Sequence, residues 1–270
     1  MRYFVTFLCA ALLATSANSE ELLNTTKLVA HINKNAKVLR EKGTLETTRE
    51  HQERMQALVE RPFEVVGFFE KNQSVYKQIS YDADRQELSV AKPPRLLGAG
   101  PLNYLGIDYR KQPNSVQFPT FKLAEQTTAS SYKGQTPFGV VARVNDYRSI
   151  TVGVLALNVD TTHWPDKITI PLSIEHAKKS INRLGWHLKG KTIAALEYHP
   201  YRKYNLEDTW VFKTQYGRVA TIDNPTEMNS IEIYAPAVLT ELSLIDRATN
   251  EVLATLNLGD LELKGLPSVE

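Results

Sequence analysis

Glu197 and His199 stand two residues apart, so on a strand they share a face, and a carboxylate beside an imidazole is a recognised way to orient a general base. The same stretch continues as Pro200-Tyr201-Arg202-Lys203-Tyr204, with Trp210 shortly after it and Trp164 next to His163. Aromatic faces beside cationic hydrogen-bond donors suit a sugar, a peptidoglycan fragment or another anionic ligand. Pro200 ends the expected strand, which places Tyr201, Arg202, Lys203 and Tyr204 on a connection, where binding surfaces are usually carried. The plainer readings of these residues are an exposed Glu-His ion pair and a hairpin loop whose tyrosines cover a sheet edge.

Other chemistries lack their equipment. There is no G-x-G-x-x-G fingerprint, and Gly98-Ala99-Gly100 runs into Pro101 instead of opening a helix, so no nucleotide cofactor is expected. Neither a G-x-S-x-G elbow nor an H-E-x-x-H pair occurs, which removes α/β-hydrolase and zinc-protease readings. Ser74-Val75-Tyr76-Lys77 and Ser130-Ser131-Tyr132-Lys133 match S-x-x-K, but serine-lysine chemistry needs the pair one helical turn apart. Ser74 falls in an expected strand, and Lys133 precedes Gly134 and Pro137. His163, His176, His187 and His199 follow no local ligand spacing, so no metal is expected. Asp82-x-Asp84 begins like a calcium loop, but Glu87 occupies the position that needs glycine, and a turn is the better reading.

The elements that must hold these residues begin behind an address label. Arg2, an apolar run from Tyr3 to Ala14, and the small residues before Glu20 read as a secretory signal over residues 1–19, cut near Ser19. The run is shorter than the ~20 residues a spanning helix needs, so no transmembrane segment is expected in the mature chain. The single cysteine, Cys9, lies inside the signal, which leaves the mature chain without disulfides, thiol nucleophiles or cysteine-bound zinc. A cysteine-free exported chain points to the periplasm. Lys and Arg total 32 against 30 Asp and Glu, a formal charge of +2, too small to hold a nucleic acid by counterion release.

Residues 21 to 42 carry Leu22, Val29, Ile32, Ala36 and Leu39 at helical spacing, with Gly43 where a C-terminal cap belongs. A second helix opens on Thr47 and Glu50, a capping-box pair, and stops near Arg61 because Pro62 follows. From Phe63 the period becomes two. Strands are expected over 75–81 and 87–91 around the turn Asp82-Ala83-Asp84-Arg85, then over 117–124, 139–144 and 150–159, the last pair hinged at Asn145-Asp146-Tyr147-Arg148. Ile150 to Leu157 suits a central strand buried on both faces. One inserted helix is expected from an N-cap at Ser173 through Ile174, Ala177, Ile181 and Leu184 to Gly185. Further strands are expected over 192–198, 209–214, 218–222, 230–234, 238–245 and 252–256.

The expected fold is therefore α+β: a signal peptide over 1–19, a helical hairpin over 20–62, and over 63–270 a β-rich, mainly antiparallel sandwich or partly open barrel with one inserted helix. The function these residues favour is a non-catalytic periplasmic protein that binds an envelope protein or glycan through Tyr201, Arg202, Lys203, Tyr204, Trp210 and Trp164. The first alternative is an envelope hydrolase with His199 as base and Glu197 orienting it. The second is an inhibitor or immunity-type protein that inserts the proline-rich loop 92–116.

Overall fold

The structure is a computed structural model that describes residues 21–38, 41–69, 79–93, 118–135, 139–159, 164–194, 210–256 and 258. Among these the chain is mostly β with three helices: α1 (Thr25–Asn35), α2 (Thr48–Val59) and α3 (Ile174–Ser180). The ten strands are β1 (Pro62–Phe68), β2 (Ile79–Asp82), β3 (Glu87–Ala91), β4 (Thr120–Gln135), β5 (Val141–Ala156), β6 (Lys167–Pro171), β7 (Leu184–Thr192), β8 (Phe212–Arg218), β9 (Thr226–Asp246) and β10 (Glu251–Thr255). Seven of them form a curled, half-barrel sheet in the order β1-β7-β9-β5-β4, with β8 and β10 also paired to β9; β2-β3-β6 form a small antiparallel sheet. The large sheet is mixed, because β5 and β9 run parallel along their shared length while its other strand pairs are antiparallel.

Alternation explains the core. On β1, Phe63 and Val65 turn inward while Glu64 and Val66 stay half-buried; on β7, Leu184, Trp186 and Leu188 turn inward. Leu28 and Ile32 of α1 and Met55 and Val59 of α2 are fully buried in the same apolar cluster, so both helices are docked on the sheet. Residues 151–156 of β5 are buried without interruption between β4 and β9, as expected of a central strand.

Caps and turns follow the sequence chemistry. The Thr47 hydroxyl accepts from the Glu50 amide at 3.2 Å and the Glu50 carboxylate from the Thr47 amide at 2.8 Å, closing the capping box. Ser173 caps α3. The hairpins β2-β3 and β9-β10 share one turn: Asp82 accepts from the Asp84 amide and Asp246 from the Ala248 amide, and four residues on, Gln86 and Asn250 have φ of 53° and 58°.

Several boundaries differ from expectation. α1 ends at Asn35 and not near Lys42. α3 stops at Ser180 because Leu184 belongs to β7, where alternate burial outweighs the helical stripe. The hinge expected at Asn145 to Arg148 is uninterrupted strand, since β4 pairs with it on one side and β9 on the other. The strands expected separately over 230–234 and 238–245 are one 21-residue strand that passes through Pro236 and changes neighbours, from β5 and β8 to β7 and β10. β6 has no counterpart among the strands expected from sequence.

Glu46, just ahead of α2, ties the helix to its approach. Its carboxylate accepts from Arg54 Nε at 2.7 Å and from the Gly43 amide at 2.8 Å; Arg54 first and then that amide hold its pKa down to about 2, against 4.5 ordinarily. A depressed folded pKa gives stability that is present above 4.5 and lost as pH falls toward about 2. Glu46→Gln is therefore expected to melt below the parent at pH 7 and with it at pH 2, measured by circular dichroism. A gap unchanged between the two pH values would refute the pairing.

Candidate functional site

Beyond the core, β4, β5, β9 and β8 continue as a four-stranded ribbon. Residues paired across strands share a face, so the register sorts its side chains. One face carries Tyr132, Asp146, Arg148, Ile150 and Glu227. There the Tyr132 hydroxyl donates to Glu227 at 2.9 Å, and that carboxylate pushes the phenol pKa up. Asp146, 6% exposed, accepts from Arg148 Nε at 3.0 Å, while its other oxygen is buried without a hydrogen-bond partner. The other face carries Lys133, Val141, Arg143, Tyr147, Tyr216, Arg218 and Met228, all exposed. Nine of the thirteen large apolar residues that are exposed among the described residues lie at this end: Tyr132, Val140, Val141, Tyr147, Ile150, Tyr216, Val219, Ile222 and Met228.

A second polar cluster crosses β1, β7 and β9 on the side away from the helices. His187 Nε2 lies 3.0 Å from Glu64 and Nδ1 3.4 Å from Glu241, and the His187 side chain is 15% exposed. Lys189 reaches Glu241 at 3.1 Å and Glu64 at 3.6 Å; its ammonium holds the Glu241 pKa down, and Glu241 in turn raises that of Lys189. The two carboxylates and the ammonium thus surround the imidazole, with Lys189 nearer to Glu241 than to Glu64. Among the described residues no group of three or more His, Cys, Asp or Glu side chains is placed to hold a metal ion. The pair was hidden from the sequence because Glu64 and His187 are 123 residues apart.

Glu197, His199, Tyr201, Arg202, Lys203 and Tyr204 lie outside the described residues, as do the segment 1–20, most of the loop 92–116, and Ser74 with Lys77. Trp210 is 1% exposed and its indole N–H donates to the Asn35 carbonyl at 2.7 Å. Trp164 is half-buried against the core cluster. Ser130 and Lys133, three apart on a strand, point to opposite faces, which rules out a serine-lysine pair between them.

Gly185 to Thr192 also reads G-x-x-x-x-G-K-T, the spacing of a phosphate-binding loop. In the structure this segment is β7, paired to β1 and β9 on its two sides, so its amides are not gathered to cradle a phosphate. Lys191 pairs with Glu60 at 2.8 Å, and the Thr192 hydroxyl donates to the Val59 carbonyl. The match is structural. No helix among the described residues is long and apolar enough to cross a membrane. No protein-family model, curated protein or solved structure matches the chain.

Proposed function

We propose that the chain is a non-catalytic protein of the cell envelope, exported through residues 1–19 to the periplasm, that binds an envelope protein or glycan. The observation that carries this is the concentration of exposed apolar and tyrosine side chains on the ribbon, including Tyr132 at 47% and Ile150 at 43% exposure on its acidic face. A sheet extended past its own core, with Tyr132 and Ile150 exposed on one face and Val141, Tyr147 and Met228 on the other, is a surface to offer a partner. The self-compensated charges around His187 speak against hydrolysis at that cluster.

Crosslinking in living cells, followed by affinity capture and mass spectrometry of proteins and glycans, tests the reading. One reproducible envelope partner is expected. Its loss in Tyr132→Ala/Ile150→Ala assigns the contact to the ribbon, and its loss in Tyr201→Ala/Arg202→Ala assigns it to the aromatic-basic connection. Tyr132→Ala/Ile150→Ala is expected to melt within a few degrees of the parent, since substitutions of exposed side chains rarely destabilise much. Capture of nothing above background overturns the proposal.

A further inference from the structure

The two faces of the ribbon differ in charge. On one, the strand positions from Val141 to Ser149 of β5, with their partners on β4, β9 and β8, hold Lys133, Arg143 and Arg218 and no acid; Asp146 and Glu227 both lie on the other. Acids reappear on the cationic face only at Glu125 and Glu232, level with Thr151, where Lys122 lies 3.4 Å from Glu232. Lys133 stands directly opposite Arg143, whose guanidinium donates to the Ser131 hydroxyl at 2.9 and 3.1 Å, so two like charges share one place on this face. Arg143 and Arg218 are two strands apart and four positions offset, a span on the order of 16 Å, so the charge is spread over a surface and not gathered into a pocket.

Between Arg143 and Arg218 stand Met228 at 47% and Tyr147 at 42% exposure, with Val141 at 60% two residues beyond Arg143 and Tyr216 at 59% two residues beyond Arg218. The end of the ribbon adds Val140, and Val219 at 80% and Ile222 at 57% on the β8-β9 connection. That connection is held against β5, because the Asn145 amide donates to the Pro225 carbonyl at 2.9 Å. Its polar turn includes Asp223, the acid nearest in sequence to this end.

We infer that this cationic face and the apolar end beside it rest on an anionic phospholipid bilayer. Charge complementarity selects an anionic partner, and the aliphatic side chains select lipid: a bilayer interface buries valine, isoleucine and methionine, seats tyrosine at headgroup level and attracts juxtaposed lysine and arginine. An acidic glycan would use the cations and tyrosines and leave Val140, Val141, Val219 and Ile222 in water. The inference draws on the same exposed ribbon as the partner reading above, but its vesicle test reads lipid binding and can fail or succeed separately from partner capture.

Co-sedimentation of the exported, full chain with vesicles tests it, using phosphatidylglycerol mixed equally with phosphatidylcholine against phosphatidylcholine alone. Binding is expected only to the anionic vesicles and is expected to fall steeply with salt. Arg143→Gln/Arg218→Gln is expected to weaken it on the order of tenfold or more, and Val141→Ser/Met228→Ser to weaken it at unchanged charge. Lys178→Gln on α3 is the control and is expected to bind as the parent does. Melting curves confirm that the variants fold. Equal binding to both vesicles, no binding, or parent-like binding by Arg143→Gln/Arg218→Gln overturns the inference. So does binding of soluble polygalacturonate that Val141→Ser/Met228→Ser leaves intact, which would make this face an acidic-glycan site.

Discussion

Gly190→Ala is expected to lower the unfolding free energy by at least about 3 kcal/mol, a large part of the roughly 5–15 kcal/mol that holds a typical domain. A Cβ at this position would meet the Val238 carbonyl oxygen at 2.3 Å and the Leu239 Cα at 3.0 Å. Both obstacles are backbone, so no rotamer change relieves them. The closeness comes from a β-bulge: Lys189 is opposite Glu241 but Gly190 is opposite Leu239, and the extra residue on β9 is Thr240. Gly217 in β8 is the matched control, because a Cβ added there would meet only the Met228 carbonyl oxygen, at 4.0 Å. Gly217→Ala is expected within about 0.5 kcal/mol of the parent. Urea denaturation of the two variants measures the difference. If Gly190→Ala stays within about 1 kcal/mol of the parent, the bulge is wrongly placed.

That bulge also shows why parts of the fold were legible and others were not. The capping box at Thr47, the N-cap at Ser173 and the turn at Asp82 are local, set by side chains that bond amides two or three residues away, and they are where the sequence places them. The length of β9 is not local. Pro236 lacks an amide to donate and argues for a break, but the strand passes through it as its neighbours change from β5 and β8 to β7 and β10. The parallel pairing of β5 with β9 was equally hidden, because alternation reports which residues face the core and not the direction of the neighbouring strand.

The candidate site divides in the same way. Unusual composition is visible along the chain, and it singles out the aromatic-basic stretch around Tyr201. The cationic face of the ribbon has no such signature: Lys133, Arg143 and Arg218 are separated by as many as 85 residues and come together only through the registers of β4, β5, β9 and β8. One clue does lie in the sequence. Tyr147, Tyr216 and Met228 occupy strand positions that alternate with polar residues, so exposure on one face follows once the strands are paired.

Trp210 provides the second large effect, and it separates a binding role from a structural one. Its ring is 1% exposed and lies 6.2 Å from His31, whose pKa is lowered first by burial and then by Arg61. Its indole N–H donates to Asn35 and its backbone amide to Val38 at 3.3 Å, so a residue next to β8 satisfies carbonyls at and just beyond the C-terminal end of α1. Trp210→Ala is expected to cost about 3–5 kcal/mol through the lost burial and the cavity left behind. Trp210→Phe keeps most of the volume and removes one of the two donors to the Asn35 carbonyl, which keeps the Val38 amide at 2.9 Å, for about 1 kcal/mol. Urea denaturation of both variants checks these values, and capture of the envelope partner by Trp210→Phe at a temperature where it is folded checks the role. Retained capture with lowered stability is the expected result, because a buried ring that caps a helix has no face left for a ligand. Lost capture at parent-like stability would return Trp210 to the binding surface.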